Sequence, residues 1–177
     1  RVRLHRLRAW GTTTAFPIIM LLLGRRANAT ASPEQVVKAL LCLESYFVRR
    51  IVSGRATGGL NRTLLQAAAT LAEVDEVDVA LRRYLSQGRR YFASDERIRE
   101  AANSVAFYWQ GRAAQRKFIL QWLEESYGSK EPVRIDDLTI EHVLPQTLDG
   151  AARDEFAMRL PSDADVTLEH ERVVQTL

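Results

Sequence analysis

Glu141 and His142 stand side by side in Leu138-Thr139-Ile140-Glu141-His142-Val143-Leu144-Pro145-Gln146, a short β-branched, apolar run that closes on a proline. Histidine titrates close to neutrality and so suits proton transfer at physiological pH. A carboxylate suits a hard divalent cation such as magnesium or manganese. Neighbouring side chains of an extended strand point to opposite faces, so Glu141 and His142 cannot both be buried on one side. At least one polar group is presented outward. The plain alternative is structural: a surface His-Glu pair, or a histidine hydrogen-bonded to backbone.

The elements around this pair change character once along the chain. Gly128-Ser129-Lys130-Glu131-Pro132 is polar and helix-breaking and reads as a linker. Residues 1–127 before it are nearly all helical in pattern, and residues 133–146 after it are rich in β-branched side chains. The expected division is a helical connecting domain over 1–127, a linker at 128–132 and a second domain over 133–177.

Within the first part, Val2, Leu4, Leu7 and Trp10 recur near helical spacing and Gly11 breaks the pattern. Pro17 suits the first turn of a helix running to about Arg25. Ser32-Pro33-Glu34-Gln35 starts the next helix, with Ser32 as N-cap and Gln35 as capping-box partner, and predicts a buried stripe of Val36, Leu40, Leu43, Phe47 and Ile51 ending at Gly54. Asn61 predicts a cap for a helix to about Val74, with Leu64, Leu65, Ala68, Leu71 and Ala72 inward. Another helix is expected over residues 75–87 with Val79, Ala80 and Leu85 inward. Ser94 caps a further one, and residues 112–127 form the last of this part, with Phe118, Ile119, Trp122 and Leu123 as its apolar face. In the second part, helices are expected over residues 149–160 and 166–175. His170 in the latter, and His5, read as surface or packing residues.

Two stretches carry a resemblance. The Leu-Thr-Ile-Glu-His-Val-Leu-Pro-Gln run resembles the opening of a ββα-metal, or HNH, nuclease motif and, more narrowly, the C-terminal nuclease domain of the GmrSD-like modification-dependent restriction endonucleases, the DUF262 and DUF1524 proteins. Glu44-Ser45-Tyr46-Phe47-Val48-Arg49-Arg50, followed by Thr57 and Leu60-Asn61, resembles the helical region between the two named domains of that family.

The resemblance implies a mainly α chain: a multi-helix bundle followed by an incomplete ββα-metal segment. It implies His142 as the general base that takes a proton from water, Glu141 as a metal ligand, and Pro145 as the residue that ends the strand and aims the turn. The implied cofactor is one divalent ion, magnesium or manganese, which stabilises charge building on the scissile phosphate. The implied partners are DNA, modified DNA included, and an upstream nucleotide-binding domain of the same protein, in bacterial defence against phage or foreign DNA. The family continues with a Gly-Asn-Leu-Thr-Leu strand and a helix bearing asparagines and a lysine, and Val173-Val174-Gln175-Thr176-Leu177 looks like the approach to that strand. The chain also starts at Arg1 without a methionine. The expectation is therefore a piece of a larger protein, one that holds metal weakly and does not itself cut DNA.

The bland reading of the same helical part is a non-enzymatic interaction or scaffold module. Glu44 would then make an ion pair with an arginine and hold the bundle together, and Tyr91, Phe92, Tyr108 and Trp109 would pack between helices with Arg89, Arg90 and Arg112 at the rim. The other reading of those aromatics is a stacking surface for nucleic acid. A helix-turn-helix is the weakest alternative, because no short helix pair carries a glycine turn and a polar recognition face.

Composition sets the frame. With 46% hydrophobic and 27% charged residues in 177, the chain has the make-up of a folded globular protein rather than a disordered or fibrous one. All but three (Lys38, Lys117, Lys130) of the 25 basic residues are arginine, with a formal charge of +3, a lean that speaks to non-specific attraction and not to mechanism. A single cysteine, Cys42, fits a reducing cytoplasm. The apolar run at residues 16–23 is far short of the roughly 18 residues a membrane span needs. Neither a Walker-type phosphate loop nor a glycine-rich dinucleotide pattern is present.

Overall fold

The computed structural model describes residues 1–11, 13–128, 139–141 and 143–176. They divide into two compact units, Arg1–Ile98 and Arg99–Leu177. Most of the expected linker (129–132), the start of the run after it (133–138) and His142 lie outside the described residues.

The first unit is built on α3 (Pro33–Val52), against which α1 (Val2–Trp10), α2 (Phe16–Ala27) and α5 (Val77–Ser86) pack, while α4 (Leu60–Thr70) packs on α2. α3 starts as its sequence dictates. The Ser32 hydroxyl accepts from Gln35 N–H at 3.2 Å, the Gln35 side chain accepts from Ser32 N–H at 2.8 Å, and Pro33 sits in the first turn. All five residues of the predicted stripe are buried, joined by Tyr46 and Val52. Each such side chain contributes roughly 1.5–3 kcal/mol by leaving water. Gly11 ends α1 in the left-handed conformation at φ 71°, which a glycine adopts without a Cβ clash.

Two helices differ in phase from the sequence reading. α4 is entered from Gly59 at φ 78°, not capped by Asn61, and starts at Leu60. That leucine joins Leu64, Ala67 and Leu71 on one buried stripe, and the stripe turns Leu65 and Ala72 outward. In α5 the buried face is Val77, Leu81, Tyr84 and Leu85, and Val79 faces solvent.

α6 (Asp95–Ala102) runs through the division between the units; Ser94 Oγ accepts from Arg97 N–H at 3.2 Å, the expected cap. The second unit contains α7 (Ala113–Ser126), α8 (Gly150–Ala157) and α9 (Val166–Val173), with α8 and α9 in contact. Phe118 and Ile119 of α7 are buried, while Leu123 is exposed. Ahead of α7, a 3-10 turn at Phe107–Trp109 buries Phe107, and Tyr108 N–H donates to the Gln175 carbonyl at 3.1 Å.

The fold is mainly α, as expected. Over residues 133–177, where the incomplete ββα segment is expected, the described residues form α8 and α9 and no strand. Residues 139–141 and 143–149 are irregular. A strand needs a ladder partner for its N–H and C=O groups, and no other described segment is extended beside them. Among the described residues, no helix is long and apolar enough to cross a membrane.

Candidate functional site

Glu141 is exposed, and the Thr139 hydroxyl donates to its Oε1 at 3.2 Å. His142, the candidate base, lies outside the described residues. Val143 next to it is fully exposed and Leu144 half-buried. Pro145 is exposed too, but its carbonyl is not free: His170 Nε2–H of α9 donates to it at 2.7 Å. His170 is itself buried, 8% exposed, and meets the Phe156 ring of α8 edge to face, with centroids 5.9 Å apart. The turn that follows the Glu-His pair is thus tied to the α8–α9 pair by one histidine.

α9 is in turn fixed at its start, where Asp165 accepts from Thr167 and Leu168 N–H groups at 2.9 and 3.1 Å. Since a carbonyl only accepts, the proton on that ring lies on Nε2, which leaves Nδ1 as the second ring site. His170 is therefore a packing residue, one of the two roles expected of it, with the added task of anchoring Pro145. Its only sequence signal is a histidine on the apolar side of a short helix.

The Glu141 carboxylate fits a hard cation in kind, as one donor. Among the described residues, no group of three or more His, Cys, Asp or Glu side chains is gathered to hold a metal ion.

The second motif sits in the first unit and is spent on structure. The Glu44 carboxylate, 2% exposed, accepts from Arg6 Nε at 2.5 Å and from Arg3 at 3.2 Å, joining α3 to α1. This is the interhelical ion pair expected of it. Tyr46, Arg49 and Arg50 reach the opposite way and grip the chain after α5. Tyr46 Oη donates to the Arg90 carbonyl at 2.6 Å, Arg50 donates to the same carbonyl at 2.9 Å, and Arg49 donates to the Ala93 carbonyl at 2.8 Å. Arg49 also pairs with Asp95 at 2.5 Å, and Arg50 donates to the Ala56 carbonyl.

The gripped segment carries Tyr91 and Phe92, two of the four aromatics singled out from sequence. Phe92 packs on Tyr46, with centroids 5.8 Å apart. The guanidinium carbon of Arg82 lies 3.5 Å from the Phe92 ring centre, that of Arg55 lies 4.1 Å from the Tyr91 ring centre, and that of Arg90 lies 3.7 Å from Tyr84. In the second unit Phe107 is buried and Trp109 is exposed.

Comparison with curated proteins and with solved structures gives no match. Residues 92–176, by contrast, match the family model for the C-terminal domain of GmrSD restriction endonucleases. That segment contains Glu141, His142, Pro145 and His170, so this part of the chain is similar to the C-terminal domain of the GmrSD restriction endonucleases.

Proposed function

We propose that these residues belong to a DNA endonuclease of modification-dependent restriction, hydrolysing phosphodiester bonds with His142 as general base and one divalent ion, magnesium or manganese, bound in part by Glu141. The observation that carries this reading is that the family match over residues 92–176 encloses the whole Glu-His-x-x-Pro stretch.

The chemistry assigned to the chain's own residues is limited. The imidazole of His142 takes the proton of the attacking water, a role suited to a side chain that titrates near neutrality. Glu141, open to solvent with one contact from Thr139, is free to turn a carboxylate oxygen to a cation. Pro145, held through its carbonyl by His170, fixes where the chain turns away after the pair. The ion, when bound, stabilises negative charge on the phosphate and the leaving oxygen. One carboxylate and one histidine leave such an ion short of ligands, so further donors must complete its coordination. DNA and an upstream nucleotide-binding domain are the proposed partners. The test is plasmid nicking by the whole protein with magnesium or manganese, native against His142→Ala, with loss of cutting in a folded variant as the supporting result.

A scaffold role for residues 1–98 is favoured separately by one observation. Every polar side chain of Glu44-Ser45-Tyr46-x-x-Arg49-Arg50 is engaged in contacts that join α3 to α1 or to the segment after α5, or, for Ser45, in receiving Arg49 Nε at 3.0 Å. The two readings are compatible, since a connector works by holding its neighbours in place.

A further inference from the structure

The arginines stacked around the turn after α5 form a second surface, and the geometry points to a contact site for the phosphate backbone of DNA there, outside the Glu141-His142 stretch. The inference rests on the reading of the protein as a DNA enzyme.

Tyr91 stands at φ 51°, a left-handed conformation unusual for an aromatic residue. Such a conformation costs of order 1–3 kcal/mol and persists where its surroundings over-determine it. Here they do: the carbonyl of Arg90 before it receives both Tyr46 and Arg50, and the carbonyl of Ala93 after it receives Arg49. The consequence is two consecutive rings, each covered by an arginine from elsewhere, Arg55 on Tyr91 and Arg82 on Phe92.

Both arginines are exposed, and among the described residues neither makes an ion pair. A guanidinium lying on a ring keeps its in-plane N–H donors for other partners and is held in a narrow set of orientations, which suits the two-pronged grip on phosphate that arginine makes. Arg83 and Arg89, near in sequence, are exposed as well. Of the nearby carboxylates, Asp95 is matched by Arg49, while Asp78 lines the same groove of about 550 Å³ as Lys38 and Arg82 and offsets part of the charge on that side.

Phosphate contacts are read out by salt dependence, since each one releases condensed counterions and adds about 0.9 to the slope of log affinity against log salt. The 177-residue chain should be titrated with a labelled duplex over a series of salt concentrations, beside R55Q/R82Q, R55K/R82K and, as an exposed control on α4, Arg62→Gln. The expected result is a slope lowered by about 2 in R55Q/R82Q, with affinity down roughly 30-fold at 0.15 M salt, and a slope restored in R55K/R82K and unchanged in Arg62→Gln. An unchanged slope in a folded R55Q/R82Q overturns the site, and so does absence of salt-dependent binding by the native chain. Should the double variant unfold, Arg55→Gln alone must lower the slope by about 1, and an unchanged slope again overturns it. Nicking that is indifferent to His142→Ala beside a lowered slope would end the nuclease assignment and leave this surface standing; the opposite pair of results would do the reverse.

Discussion

His170 Nε2 on α9 lies 2.7 Å from the carbonyl oxygen of Pro145, twenty-five positions earlier in the chain. The contact places a buried ring directly behind the turn that follows Glu141 and His142. Replacing His170 with alanine removes one hydrogen bond and the edge-to-face contact with Phe156. The expected loss is about 1–2 kcal/mol of stability in the second unit, together with faster amide exchange at residues 143–147. Exchange that is unaltered there would show that the turn is held by something else.

Glu44 should be the most sensitive position of the first unit. Its carboxylate is almost fully buried and pairs with Arg3 and Arg6, and Glu44→Ala removes the anion that both guanidinium groups share. Breaking a buried ion pair by removing one partner costs about 3–5 kcal/mol, and the partial exposure of Arg3 places the expected loss at the lower end. Arg6→Ala should cost more than Arg3→Ala, because Arg6 is the more buried of the two. Urea denaturation of the three variants checks the order.

Arg50→Lys keeps the charge and loses the fork that reaches the carbonyls of Arg90 and Ala56. Stability should fall by about 1–3 kcal/mol, and the turn at Tyr91 should loosen, seen as proteolytic nicking near residues 88–92. A variant as resistant as the native chain would mean that Tyr46 and Arg49 hold the turn unaided.

Burial pushes the Cys42 thiol up from 9.0 to about 11, against the opposing pull of the Arg82 guanidinium. At pH 8 the thiolate, the reactive form, is then about 100-fold scarcer than in an unburied thiol, so alkylation of the native protein should be slow and should rise steeply only toward pH 11. The folded pKa lies above the unfolded one, so the contribution to stability is complete below pH 9 and is lost between pH 9 and 11. Burial raises the Tyr46 hydroxyl in the same direction, so the Cys42 share is the difference between native and Cys42→Ala denaturation curves across that range.

Legibility in the sequence followed the locality of the cause. α3 was readable to the residue at its start because the Ser32 cap, Pro33 and Gln35 act within one turn. The phase of α4 was not, because it depends on Leu60, which precedes the capping candidate Asn61 and joins the buried stripe only once Gly59 has turned the chain. Glu44 was readable as an ion-pair partner because a carboxylate on an apolar helix face needs a cation, but nothing local names Arg6, thirty-eight positions away. At the candidate site the Glu141-His142 pair and Pro145 were visible as a motif, whereas the His170 to Pro145 bond is a tertiary fact with no periodic signature. The Tyr91 and Phe92 rings were readable as aromatics, and their cover by Arg55 and Arg82 required the left-handed turn at Tyr91.

On the proposed reading, His142 takes the proton of the attacking water in a metal-dependent DNA nuclease. The most direct test is supercoiled-plasmid nicking by the whole protein with magnesium or manganese, on modified and unmodified DNA, comparing native protein with His142→Ala of matched thermal stability. A fall in rate of about 10²–10⁴-fold in the variant is the predicted result, the range a positioned general base supplies. Equal nicking by the two proteins would contradict that reading and move the chemistry away from Glu141 and His142.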